Sequence, residues 1–340
     1  MATNLKSHVS GCIQPSACKM STEAVPVRIA ALAPYQGTQI QGIFRLACYQ
    51  SRTDRYGRPY WRVLLEDRSG SLRVYGWSGA FTPPSGVEIG QPVEAQVLVR
   101  TFNGSLIGNL LKLRPADTIH FNPIQLLPCS ELPRPDCAEA LERFIVVCPV
   151  PALQEFLVQV FRGENLARAF LTLPASQNHH HAWAGGLAEH SLEVAAIVEQ
   201  ALVKDCLAVR SVGVVAALLH DIGKIRVLDS ASKRTSLGFV LHHEHLTLEI
   251  LADGLRFLDS AWPHGAIALR YLLTWKRTRS GSRPLLPAAL ALEYADSYSA
   301  ATQARDLAFS DKPEWQRFVK LGTGGPPSLF WRPLPPWIRR

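Results

Sequence analysis

Apolar residues follow two different periods along the chain. From about residue 26 to 115 they fall in short runs separated by turn residues. Gln41-Gly42-Ile43-Phe44-Arg45-Leu46-Ala47-Cys48-Tyr49 leads through a polar turn with Asp54 and Gly57 to Tyr60-Trp61-Arg62-Val63-Leu64-Leu65-Glu66. Asp67-Arg68-Ser69-Gly70 then punctuates the step to Ser71-Leu72-Arg73-Val74-Tyr75-Gly76-Trp77, and Val93 to Val99 and Leu106 to Leu113 supply two more runs of β type. Five short strands, with a gap between the third and fourth, predict a small barrel.

From about Cys137 to Ala308 the spacing lengthens to three and four residues, as in Leu153, Phe156, Leu157, Val160 and Phe161, and again in Leu187, Val194, Ile197 and Val198. Further helices are predicted at Ser211 to His220, Leu241 to Leu258, Gly265 to Trp275 and Pro287 to Ala301. Between the two regions, residues 116–136 carry Pro123, Pro128, Pro133 and Pro135, which favour an extended linker because proline fixes φ and lacks a donor. The tail, 309–340, holds Gly322, Gly324, Gly325, Pro326, Pro327 and Pro333 to Pro336 and is expected to be irregular. The fold class expected is therefore α+β with two domains, a β-barrel over 26–115 and an all-α domain over 137–308.

The barrel segment resembles an OB-fold of the kind that binds nucleic acid on its second and third strands. On that resemblance Tyr60, Tyr75 and Trp77 stack on bases while Arg45, Arg58, Arg62 and Arg73 neutralise phosphates. Charge points the same way: the formal net charge is +8, and residues 1–125 hold 13 Lys plus Arg against 7 Asp plus Glu, so most of the excess lies in the first third. Such a bias suits a polyanionic partner.

Chemistry concentrates in the helical part. His190 shares a helix face with Leu187 and Val194, by three- and four-residue spacing, so its imidazole faces inward among apolar neighbours. Val212 to Leu219 is a nearly continuous apolar run that ends in His220-Asp221-Ile222-Gly223-Lys224. A buried carboxylate costs several kcal/mol unless it is paired or metal-bound, and Asp296 poses the same problem within Leu290 to Ala300. A divalent cation held by His190, His220, Asp221 and Asp296 solves both, since two nitrogens and two carboxylates suit manganese, iron, magnesium, cobalt, nickel or zinc.

This H…HD…D order resembles the signature of the HD-domain phosphohydrolase superfamily. The run His179-His180-His181-Ala182-Trp183-Ala184-Gly185-Gly186-Leu187-Ala188-Glu189-His190, followed by His220-Asp221-Ile222-Gly223-Lys224, is similar to the YhaM-like 3′-to-5′ exoribonucleases, which join an OB module to an HD domain. The HD domain of TraI-type MobH relaxases shares much of it. The resemblance implies a metal-dependent phosphodiesterase, with manganese the favoured ion, acting as a 3′-to-5′ exonuclease on single-stranded nucleic acid, RNA ahead of DNA. It also implies that Lys224 contacts phosphate, and that His180 and His181 hold the phosphate or protonate the leaving oxygen.

One departure bears on the metal count. Two-metal relatives carry a further histidine, a role His243 can take in competition with His242 and His245, and then a histidine pair where this chain has Trp275 and Lys276. One ion is thus favoured over two, with Lys276 a candidate phosphate contact. A weak or inactive HD protein that binds single-stranded DNA in a mobile element, and a nucleotide phosphohydrolase, stay open as alternatives.

The remaining features narrow the setting. Seven cysteines with no C-x-x-C pair speak for reduced thiols. No apolar run approaches the roughly 18 residues of a membrane span, and the first twenty residues lack the apolar run of a secretory leader, so a cytoplasmic protein is expected.

Overall fold

A computed structural model of the chain describes residues 28–116, 123–177, 181–275, 285–322 and 328–334. Strands β1 (Gln39–Thr53), β2 (Pro59–Asp67), β3 (Gly70–Trp77), β4 (Pro92–Phe102) and β5 (Ser105–Pro115) close a barrel in the order β1-β2-β3-β5-β4. All ladders are antiparallel except the β3–β5 pair that closes the barrel. Five strands so connected form an OB-fold. Alternation sends Val63, Leu65, Leu72, Val74, Val97 and Val99 inward, all of them buried. β1 runs past its predicted end at Tyr49 because a bulge between Leu46 and Cys48 bends it, letting one strand pair with β4 over its first half and β2 over its second.

The helices that follow are α1 (Pro135–Val146), α2 (Pro151–Phe161), α3 (Glu164–Thr172), α4 (Gly186–Ala201), α5 (Leu207–Leu219), α6 (Lys224–Val227), α7 (Ser236–Val240), α8 (His243–Ile250), α9 (Ala252–Ala261), α10 (Pro263–Thr274) and α11 (Pro287–Phe309). Pro135, Pro151, Pro263 and Pro287 open their helices, where a missing N–H costs no hydrogen bond. Every residue from Ser211 to Leu219 is buried, so α5 forms the centre, packed by α4, α10 and α11. Among the described residues no helix is long and apolar enough to cross a membrane.

Three sequence expectations are corrected. The proline-rich connection is not an extended spacer where it is described: Ile124, Leu127 and Leu132 sit among its prolines and are buried in the helical core. Arg68, from the β2–β3 turn, is only 4% exposed, donates to the Ile124 carbonyl at 3.1 Å and pairs with Glu142 of α1, which ties barrel to helices. The single helix expected over Leu241 to Leu258 is two, because the fully buried Leu251 leaves helical geometry and turns α9 onto α2. The tail, expected to be irregular, forms the hairpin β6 (Phe318–Leu321) and β7 (Ser328–Trp331), anchored by Val319 on Ala308 and Phe309 of α11.

Candidate metal centre

Three helices and the two turns beside them deliver the polar side chains. Gly185 immediately precedes α4, and its φ of 81° is the left-handed conformation that glycine adopts without strain. Gly186 lies directly under the His181 carbonyl, 2.1 Å from where a Cβ would stand, so the two glycines fold the preceding histidine back over the helix start. From there His190 points into the domain and is fully buried. His220 and Asp221 end α5, and Gly223 lets the His243 carbonyl at the start of α8 approach to 2.0 Å of its virtual Cβ. α11 brings Asp296 across the opening.

The geometry is tight. Asp221 Oδ2 lies 3.5 Å from His190 Nε2 and 3.4 Å from His220 Nε2, while Asp296 Oδ1 lies 3.1 Å and 3.7 Å from the same two atoms. His243 Nε2 stands 3.0 Å from Asp221 Oδ1. Of the three competing histidines the structure thus brings His243 to the carboxylate, whereas His242 and His245 face each other with ring centroids 6.5 Å apart.

The outer nitrogens define how the inner ones are presented. His220 Nδ1 is 2.7 Å from the Ala217 carbonyl, which can only accept, so that nitrogen carries a proton in either charge state and Nε2 is the atom turned toward the carboxylates. His190 Nδ1 is 3.1 Å from the Ser299 hydroxyl. That hydroxyl donates to Glu193 Oε2 at 2.8 Å, so it accepts from His190 Nδ1 and leaves that ring's Nε2 facing inward as well. Among the described residues the buried His220 Nε2 has no hydrogen bond of ordinary length. His190, His220 and Asp221 each offer a ligand atom within 4.8 Å of the others, and Asp296 stands 3.1 and 3.7 Å from the two histidines, a grouping that a divalent cation bound at about 2.1 Å from each donor can draw together.

Electrostatics supports that fit. Burial alone raises the pKa of both carboxyls, yet His220, Lys224 and His243 hold Asp221 well below the usual carboxylate range. Asp296 is likewise held below that range against burial, by His190 and His220. Burial opposes the charged form of His220, but Asp221 and Asp296 outweigh it and push its pKa up to about 10. Two ionised carboxylates facing His220 call for positive charge, which a proton on that ring supplies and which a metal ion supplies once it displaces that proton.

The other expected residues fall around this cluster. His220, Asp221, His243, Trp275, Glu293 and Asp296 line a cavity of about 220 Å³. Lys224 Nζ donates to Asp221 Oδ2. His181 is 4% exposed, its ring lies between those of Trp183 and His190, and it faces Glu189 and Glu193 rather than the cavity. His180 and Lys276 lie outside the described residues.

On the barrel, one face carries Tyr60 opposite Trp77 and Arg62 opposite Tyr75, with Arg73 opposite Leu64. The ring centroids of Tyr60, Tyr75 and Trp77 are 5.1–6.5 Å apart, and Trp77 is 38% exposed. Arg45 is not on this surface as a free cation: it pairs with Glu66 at 2.6 Å beside Glu131. Arg58 is exposed but shares its charge with Asp54 at 2.9 Å.

Residues 187–301 match the family model of the HD domain, an interval that contains His190, His220, Asp221, His243 and Asp296. Over this stretch the chain is similar to HD domains. Residues 132–232, spanning the first part of it, also match the TraI_2 model, described as "Putative helicase". The 3′-5′ exoribonuclease YhaM of Oceanobacillus iheyensis is 25% identical over 58% of this chain and 62% of its own length, short of two thirds of that relative. The proteins of the same name from Bacillus velezensis and Bacillus subtilis are 21% and 22% identical, over 80% and 74% of this chain and 88% and 82% of theirs. Among solved structures, the second OB-fold domain of replication protein A from Methanococcus maripaludis is similar over 24% of this chain and 87% of that one, at 15% identity and a TM-score of 0.20. The barrel is assigned on strand order alone.

Sequence spacing did not single out Ser299 and Glu193, which orient His190 in the HD domain. The signal was present: Ser299 stands three residues after Asp296, and Glu193 three after His190, which places each on its neighbour's helix face. Glu189 was also passed over; it ties Trp183 (2.8 Å) and Arg134 (2.6 Å) to the start of α4.

Proposed function

We propose that the chain is a metal-dependent phosphodiesterase that removes nucleotides from the 3′ end of single-stranded nucleic acid, RNA ahead of DNA, in the cytoplasm. The observation that carries the reading is the convergence of the His190 and His220 Nε2 atoms with Asp221 and Asp296 at the edge of an open cavity. One divalent ion is the favoured occupant, manganese first among those that accept mixed imidazole and carboxylate donors.

When bound, such an ion supplies a water of lowered pKa and polarises a phosphoryl oxygen. The protein's part is to hold and exclude. His190 and His220 keep their lone pairs inward through Ser299 and Ala217, and Asp221 and Asp296 stay ionised across the working pH range. Lys224, beside Asp221, offsets charge that builds on the phosphoryl oxygens as water attacks and the P–O3′ bond breaks. His180 remains the proposed proton donor to the departing O3′. His181, buried behind His190, acts through that ring.

The barrel's Tyr60, Tyr75 and Trp77 with Arg62 and Arg73 form the proposed strand-binding face, with Arg58 at its margin. Three relatives named 3′-5′ exoribonuclease support the polarity and the RNA preference. A second reading, a weakly active binder of single-stranded DNA, is favoured by Trp275, whose indole lines the cavity where two-metal relatives place a histidine pair, next to Lys276 as a phosphate contact.

The test is incubation of the purified protein and manganese with end-labelled RNA and DNA oligonucleotides beside a panel of nucleotides. Mononucleotide release that is lost in a His220→Ala, Asp221→Ala double variant is the expected result. Oligonucleotide binding without turnover selects the second reading, and nucleotide hydrolysis without strand cleavage makes the protein a nucleotide phosphohydrolase instead.

A further inference from the structure

A second cavity of about 320 Å³ adjoins the metal cavity through His243 and is within the size range of small-molecule sites (about 300–1,000 Å³). Its lining differs in charge from that of the metal cavity. The metal cavity is walled by Asp221, Glu244, Glu293 and Asp296, whereas the second is walled by Lys224, Arg234, His242 and His243 and, among the described residues, by no carboxylate. His243 lines both. A side that attracts cations thus lies next to a side that attracts anions, with Lys224, which donates to Asp221, reaching from the second cavity toward the metal ligands.

Arg234 is set in place rather than loose. Its Nε donates to Gln177 Oε1 at 3.1 Å, and among the described residues it has no carboxylate partner. The loop that presents it is closed by Asp229, whose Oδ1 accepts from the Ala231 and Lys233 amides, each at 2.9 Å, so the nearest acid in sequence is committed to the backbone. Behind it, Thr235 Oγ1 donates to the Arg226 carbonyl at 2.7 Å, and Gly238 presses α7 onto α6, with the Val227 carbonyl too close for a Cβ.

The far rim is apolar. Phe239 is 73% exposed and Val240 75% exposed, adjoining the cationic groups in one pocket. An aromatic ring left in water beside Arg234, which has no carboxylate partner among the described residues, and Lys224, which is shared with Asp221, matches a ligand with a flat apolar face and an anionic end.

We infer that this cavity is the subsite for the terminal nucleotide, binding a nucleoside 5′-monophosphate unit with its phosphate on Arg234 and Lys224 and its base against Phe239. The inference rests on the phosphodiesterase reading, since cleavage at P–O3′ leaves the departing nucleotide with a 5′-phosphate. It adds two specificity-determining residues, Arg234 and Phe239, to the site.

The test is calorimetric titration of the full-length protein with adenosine 5′-monophosphate, adenosine and inorganic phosphate, for the wild type, Arg234→Gln and Phe239→Ala, with melting temperature and light scattering as controls. Loss of a charge-assisted contact predicts about tenfold to a hundredfold weaker binding of both the monophosphate and inorganic phosphate in Arg234→Gln. Loss of a stacking surface predicts at least about fivefold weaker monophosphate binding in Phe239→Ala, with inorganic phosphate unchanged. No monophosphate binding by the wild type, or equal binding by all three proteins, overturns the inference. So does a Phe239→Ala protein that changes its oligomeric state while keeping its monophosphate affinity. If RNA is cleaved while both variants bind as the wild type does, the subsite fails and the phosphodiesterase reading stands. If the expected binding pattern appears without strand cleavage, the subsite stands and the phosphodiesterase reading fails.

Discussion

Replacing Gly223 by alanine tests how the turn after Asp221 builds the site. Its backbone, φ −59° and ψ −21°, is one any residue adopts, so conformational strain cannot explain an effect. The obstacle is steric: an added Cβ stands 2.0 Å from the His243 carbonyl oxygen and 2.8 Å from its carbon, and backbone cannot swing aside as a side-chain tip can. Reaching ordinary contact near 3.4 Å requires the start of α8 to retreat by about 1.4 Å, which opens the 3.0 Å approach of His243 to Asp221. Overpacking of this kind costs about 1–3 kcal/mol, or a fall in melting temperature of about 2–12 °C for a domain of this size. Cation affinity should drop about tenfold or more as His243 withdraws its support from Asp221. The assay pairs thermal unfolding with calorimetric titration of manganese, and Gly163→Ala is the control because its Cβ would meet nothing within 4 Å. A Gly223→Ala protein with the melting temperature and manganese affinity of the wild type shows that this turn does not set the approach of α8 to Asp221.

Three further outcomes are expected. Ser299→Ala removes the acceptor that orients His190, so manganese affinity should fall about 10–100-fold by titration, and an unchanged affinity shows that the ring is held by other means. Arg62→Gln and Arg73→Gln should each lower the slope of log affinity for single-stranded RNA against log salt by about 0.7, read by fluorescence anisotropy; an unchanged slope removes these residues from the binding face. Burial, aided by Asp136, pushes the Cys137 thiol up to about 11. A raised pKa in the folded state means that the unfolded chain ionises first, so this group's contribution is intact below the unfolded value of 9.0 and is lost as pH rises through about 11. Cys137 should accordingly resist a thiol reagent at pH 8 that labels the exposed Cys206, and equal labelling contradicts the burial argument.

The barrel was readable because inward residues such as Val63, Leu65, Leu72 and Val74 alternate with polar ones, a signal that a half-buried sheet writes directly into sequence. The hairpin at the tail was not, because its strands have four residues each and the alternation of Val319 and Leu321 is too short to outweigh the surrounding glycines and prolines. The proline-rich connection misled for a related reason: proline dictates an irregular backbone, while Ile124 and Leu127 between the prolines dictate burial, and the second effect won. At the metal centre, composition showed that His190, Asp221 and Asp296 had charges or lone pairs to satisfy. Their meeting point depends on how α4, α5 and α11 pack, which no local spacing encodes. Nor does spacing tell which of His242, His243 and His245 opens α8, and only the first residue of that helix reaches Asp221.

His190, His220, Asp221 and Asp296 are proposed to hold a divalent cation. Elemental analysis of protein purified without chelator, run beside the His220→Ala, Asp221→Ala double variant, measures it directly. The expected result is one ion per chain in the wild type and none in the variant. A wild type without metal that also takes up none on manganese titration, or a variant with the same content as the wild type, contradicts the account.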